Sequence, residues 1–142
     1  MTMRQAISSA VSGRAMADEV VTRTRRYHMD DDGILRMTVL PGAEETLADA
    51  VENVRAGAAL RKGRSCPTLS DSRWLKSVSR EARAYYGGTA SAEVATAVAV
   101  LIGSALQRTI VNFILVFSKP RFPVRFFTSE AEALAWLRAF LR

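Results

Sequence analysis

One cysteine, one histidine and four prolines occur in 142 residues, and each scarcity excludes something. With Cys66 alone, no internal disulfide and no multi-cysteine metal site can form, and the chain suits a reducing compartment. No apolar run reaches the roughly 20 residues that cross a bilayer. The longest, "VATAVAVLIG" from Val94 to Gly103, has the length and β-branched content of a strand, so no membrane insertion is expected. The first twenty residues have neither a continuous apolar segment nor a cleavage signal, which leaves export unsupported and a cytoplasmic location as the expectation. There is no Gly-rich phosphate loop, no paired metal ligands, no nucleophile elbow and no dinucleotide fingerprint; the glycines of "YYGGTAS" stand in the wrong context. The expectation is a protein that is not an enzyme and takes no metal or cofactor.

What is present suits one compact domain. Hydrophobic residues make up 49% of the chain, enough for a single core at this length. The net charge of +6 is spread rather than blocked, as in a solvated basic surface, and no nucleic acid is expected. Residues 1–19 are small, weakly basic and read as a disordered extension ahead of a domain at 20–142. Met16 is an alternative start, and an amphipathic arm is the functional alternative for the extension.

The pattern of elements is regular. An extended stretch from Val21 to Met29, with Arg23, Arg25 and Tyr27 on one side, is followed by a turn near Asp31 to Gly33. Leu35, Met37 and Val39 then alternate with Arg36 and Thr38, which completes a hairpin. The adjacent aspartates lack the alternate spacing of a calcium loop and read as the turn. Thr46 with Asp49 forms a capping box before Leu47, Ala50, Val51, Val54 and Ala58 at helical spacing, and Gly63 ends that helix. "CPTL" is a short strand. Ser79 caps a second helix that Gly87 and Gly88 stop. "VATAVAVLIG" is a buried strand. A third helix is expected from about Ala105 to Ser118, with Leu106, Ile110, Phe113, Ile114 and Phe117 on one face. "VRFF" is the last strand, and Ser129 with Glu132 caps a helix that turns Ala133, Trp136, Leu137, Phe140 and Leu141 inward. The order β-β-α-β-α-β-α-β-α predicts an α/β sandwich: a mixed, mostly parallel five-stranded sheet with four helices.

The hairpin "RYHMDDDGILRMTV", the segment "VLIGSALQRTIVNFILVFSKPRFPVRFF" and the ending "TSEAEALAWLRAFL" together resemble the STAS-like group of small bacterial proteins, which is related in fold to anti-sigma-factor antagonists (SpoIIAA-like). The similarity covers about Val21 to Leu141. In regulatory domains of that kind, the resemblance implies a serine or threonine at the start of the helix after a central strand, phosphorylated by a partner kinase. Ser77 and Ser79 stand nearest that place, with Ser72 an alternative, and Arg73, Lys76 or Arg80 could meet the phosphate. The chain departs from the pattern: Asp71-Ser72 is followed by Arg73-Trp74, where the family has a small residue and glycine. Ser79 also reads simply as a helix cap.

His28 could act as a base and Cys66 as a nucleophile, yet nothing in the sequence places them together, and each reads as structural. In "KPRFPVRFF", strand alternation makes some phenylalanines core residues rather than a stacking surface. Trp74, Phe122 and Tyr86 are candidate exposed contacts. Two functional expectations follow. The first is a regulatory or protein-interaction module that binds an unidentified protein partner through Asp71, Ser72, Arg73, Trp74, Ser77 and Ser79, with self-association into a homodimer. The second is a binder of a small apolar or amphipathic ligand beside the third helix.

Overall fold

The computed structural model describes residues 19–88, 95–104 and 122–141. The expected third helix lies outside them, as does the expected N-terminal extension except for Glu19, which opens the first strand. The elements in chain order are β1 (Glu19–Val21), β2 (Arg25–Met29), β3 (Leu35–Val39), β4 (Glu44–Glu45), α1 (Leu47–Arg61), β5 (Cys66–Asp71), β6 (Ser77–Val78), α2 (Arg80–Tyr86), β7 (Ala95–Leu101), β8 (Val124–Phe127) and α3 (Glu130–Arg138). A six-stranded sheet runs β1-β2-β3-β5-β7-β8, and β4 pairs with β6 in a separate two-stranded sheet. The pairs β1/β2 and β2/β3 are antiparallel; β3/β5, β5/β7 and β7/β8 are parallel.

All five expected strands are present as β2, β3, β5, β7 and β8, but the count of five is corrected. The stretch before Met29 is not one strand. Thr22 N–H donates to Arg25 O at 2.8 Å and the Thr22 hydroxyl accepts from Arg25 N–H at 3.1 Å, so the chain reverses at residues 22–25 and adds β1 as an edge strand. β4 and β6 are too short to leave a periodic signal. The described helices are three rather than the expected four, since the remaining one falls outside the described residues.

The β2–β3 turn forms as its sequence requires. One Asp30 carboxylate oxygen accepts from Asp32 and Ile34 N–H, the other from Arg36 Nε, and Gly33 adopts φ +91°, where a side chain would be strained.

Strand alternation divides the core between two faces. Tyr27, Leu35, Met37 and Val39 face α1, where Ala56 and Leu60 pack on them. Leu69, Ala97, Ala99, Leu101 and Phe127 face the other way and meet Ala133 and Leu137 of α3, with Trp136, Phe140 and Leu141 flanking, as the sequence predicts for that helix. The buried alanines of β7 leave room for α3 to approach the sheet closely.

The inward face of α1 is not the apolar one that periodicity suggests. Leu47 is exposed and Val51 and Val54 are half-buried, whereas Asp49, Ala50, Asn53, Gly57 and Arg61 are buried. Its start is as expected, with Thr46 and Asp49 in the reciprocal capping box, but its left-handed C-cap is Lys62, one residue before the expected Gly63, which also takes a positive φ.

Candidate functional site

The connection from β5 to α2 lies at the carboxyl end of the parallel strands, the end at which α/β sheets commonly present their binding loops. Ser72 N–H donates to Leu101 O at 2.9 Å, prolonging the β5–β7 ladder by one residue, and Leu75 N–H donates to Ser72 O at 3.2 Å to close a turn. Gly42, at φ +75° after β3, donates its N–H to Trp74 O at 2.9 Å. Lys76 and Ser77 N–H both donate to Ala43 O, β6 pairs with β4, and Ser79 N–H donates to Glu45 O at 2.9 Å. The loop is therefore fastened along its length to residues 42–45.

The six candidate residues are gathered there but do different work. Asp71 grips Arg73 through two bonds, Nε at 2.9 Å and Nη2 at 2.8 Å, and holds the Arg73 pKa above its ordinary value. The Arg73 guanidinium lies 6.0 Å from the centre of the Trp74 ring. Trp74 is 55% exposed although its backbone is pinned. Ser72 is buried, with its hydroxyl 3.0 Å from that of Ser70. The Ser79 hydroxyl accepts from Ala82 N–H at 3.1 Å, the cap that the sequence implies. Ser77 is exposed.

Beneath this loop lies a buried polar network that sequence reasoning missed. Glu45 leaves β4 with its side chain 0% exposed and accepts from Arg25 Nε and Nη2, each at 2.7 Å. The Thr24 hydroxyl donates to the same carboxylate at 2.7 Å and the Tyr86 hydroxyl at 2.8 Å. The Asn53 amide reaches Thr24, Glu45 and Tyr86 within 3.1 Å, and its oxygen accepts from Thr22 at 2.5 Å. The Arg25 guanidinium stacks 4.3 Å from the Tyr86 ring centre. Tyr86 is thus a half-buried part of this network and not the exposed contact expected of it. Beside it, Arg23 closes on Asp49 and donates to Glu44 O. Strands β2 and β4 and helices α1 and α2 are tied together by these bonds, which set the platform on which the loop rests.

The charges follow this geometry. Burial works against an ionised Glu45, but Arg25, Thr24 and Tyr86 outweigh it and hold the carboxyl below its ordinary value. Asp49 is also held well below its ordinary value, by the hydrogen bonds of Arg23 against burial, with Thr46 adding to them. Burial pushes the Tyr86 and Tyr27 hydroxyls up, against the Arg25 charge. The depressed carboxyls contribute stability that is present above their ordinary values of 4.5 and 3.8 and is lost as pH falls through their folded values. The raised tyrosines contribute stability that is present below 10.0 and is lost as pH rises through theirs. Thermal melts across pH are expected to show a plateau with losses at both ends. Tyr86→Phe is expected to shrink the alkaline loss and to cost about 1–3 kcal/mol at neutral pH by unpairing Glu45 and Asn53. An unchanged alkaline limb in that variant would contradict the assignment.

The other candidates separate. His28 is exposed on the face of β2 opposite Tyr27, while Cys66 packs in the Tyr27 cluster, so the two do not meet. Phe127 is buried, Phe122 and Phe126 are half-buried, and the Arg125 guanidinium covers Phe127 at 5.2 Å. Among the described residues, no helix is long and apolar enough to cross a membrane.

The chain belongs to the family described as a domain of unknown function, DUF7793, whose model matches residues 27–141. No curated protein matches the sequence significantly. Among solved structures, it is similar to an uncharacterised protein of the DUF3478 family from Shewanella loihica PV-4, described as having a SpoIIAA-like fold. The identity is 18% over 84% of this chain and 90% of that one, with a TM-score of 0.51. It is also similar to a protein of unknown function from Arthrobacter sp. FB24, at 37% identity over 84% of this chain and 96% of that one, with a TM-score of 0.34. The first likeness is one of fold alone and agrees with the mixed α/β sheet.

Proposed function

We propose that this DUF7793 chain is a non-enzymatic protein-interaction module that docks a folded partner through the loop from Asp71 to Arg80, with Trp74 as the anchor. The observation that carries the reading is a tryptophan 55% exposed on a loop whose backbone is pinned from Gly42 to Ser79. An indole held out in a preset position loses little entropy on binding and offers a large apolar area, as interface hot spots do. Arg73, oriented by Asp71, flanks it. Phosphate control belongs to the same proposal only at Ser77, since Ser72 is buried and Ser79 caps α2. The alternative, a small apolar ligand, rests on Leu106, Ile110, Phe113 and Phe117, which lie outside the described residues.

Matched capture from the host lysate, with wild-type and Trp74→Ala protein as baits, tests the loop. A partner retained by the wild type and missing from the variant is expected; identical captures would remove the loop from the interface.

A further inference from the structure

The exposed Trp74 sits among charges that cancel. Before it in the chain, Arg73 is closed on Asp71 at 2.8 Å. After it, Lys76 reaches Glu44 at 3.3 Å, brought there because β4 and β6 pair with Glu44 beside Ser77. Both side chains of that second pair are well exposed, 67% and 63%. The start of α2 adds one residue of each sign, the exposed Arg80 and Glu81. The docking loop and its neighbour Glu44 thus carry three acids and three bases, on a chain whose net charge is +6. Part of the excess positive charge lies on α1 and the turn after it: Arg55, Lys62 and Arg64 are exposed, and none of the ion pairs among the described residues includes them.

Two copies of a chain with this net charge repel one another, and they repel least where they meet through a neutral face. A face that meets itself across a two-fold axis has a further requirement, since each residue confronts the other copy's version of the same patch: every charge must find its opposite there. Paired charges of both signs around one exposed aromatic satisfy it, whereas a uniformly basic loop does not. We propose that the partner docked on this loop is a second copy of the chain, joined loop to loop across a two-fold axis, with the two Trp74 side chains at the centre and Lys76 of each copy facing Glu44 of the other. Lys76 and Glu44 already pair within one chain. Association therefore completes a ring of four alternating charges and strips neither residue of its partner. This pairing rests on the docking role of Trp74 and supplies its occupant.

Sedimentation velocity on the full-length protein at about 50 μM, a concentration suited to micromolar association, tests the pairing. The wild type is expected to sediment as a dimer and Trp74→Ala largely as a monomer, its association weakened about 30-fold. Lys76→Glu and Glu44→Lys are each expected to associate at least about tenfold more weakly, because like charges then face one another across the axis. Mixed in equal amounts, these two variants are expected to recover a dimer, since the acids of one then face the bases of the other; recovery also shows that both are folded. A monomeric wild type overturns the second copy as occupant, and the docking role of Trp74 itself then stands or falls on the lysate capture. A dimer unchanged by Trp74→Ala overturns it by placing the contact elsewhere. A mixture that associates no better than its two components overturns it as well.

Discussion

Glu45→Ala is expected to lower the unfolding free energy by about 3–5 kcal/mol, a large share of the roughly 5–15 kcal/mol that holds a domain of this size. The carboxylate is fully buried and receives Arg25 twice, Thr24 and Tyr86. Its removal leaves the Arg25 guanidinium buried without its counter-charge and two hydroxyls short of an acceptor. The cost comes from these stranded partners rather than from the worth of the ion pair itself. Arg25→Met combined with Glu45→Leu is therefore expected to recover most of the loss, because neither charge remains to be buried. Urea denaturation of the single and double variants measures both quantities. A loss under about 1 kcal/mol for Glu45→Ala would show that the network does not hold the fold. Local consequences follow as well: the Lys76 and Ser79 amides, which donate to Ala43 and Glu45, are expected to exchange with deuterium faster in the single variant.

Trp74→Ala is expected to act in the opposite way, leaving stability within about 0.5 kcal/mol of the parent while weakening partner binding by at least 2 kcal/mol, about 30-fold. The indole contributes little to the core, since it is largely exposed and its neighbours hold the loop through its backbone carbonyl, which alanine retains. Its area becomes useful only against another surface. Equal affinities for wild type and variant in a calorimetric titration with the captured partner would contradict the assignment. So would a large fall in melting temperature, by assigning Trp74 a structural role.

Local chemistry made much of the fold legible. The capping box of Thr46 and Asp49, the Ser79 and Ser129 caps and the Asp30–Gly33 turn work through bonds between near neighbours, so short stretches of sequence are enough to reveal them. The alternation of Leu35, Met37 and Val39 likewise gave the core face of β3. The loop proposed for docking could be singled out in the sequence because its six residues are almost contiguous. Its support could not. Arg25, Glu45, Asn53 and Tyr86 meet only in three dimensions, and residue type alone argues against burying such groups. For the same reason the inward face of α1 was misread: Asn53 and Arg61 hold positions that periodicity reserves for apolar side chains. One weak signal did exist, in the unbroken polar run "TRTRR" from Thr22 to Arg26, which interrupts the apolar alternation expected of a single strand.

Native mass spectrometry of wild-type and Trp74→Ala protein, purified gently from the host, shows whether Trp74 anchors a bound protein. The wild-type spectrum is expected to carry the mass of a second protein, or of a second copy, and the variant to fly without it at otherwise unchanged charge states. A small-molecule adduct in place of any protein, or the same complex in both spectra, would contradict that role.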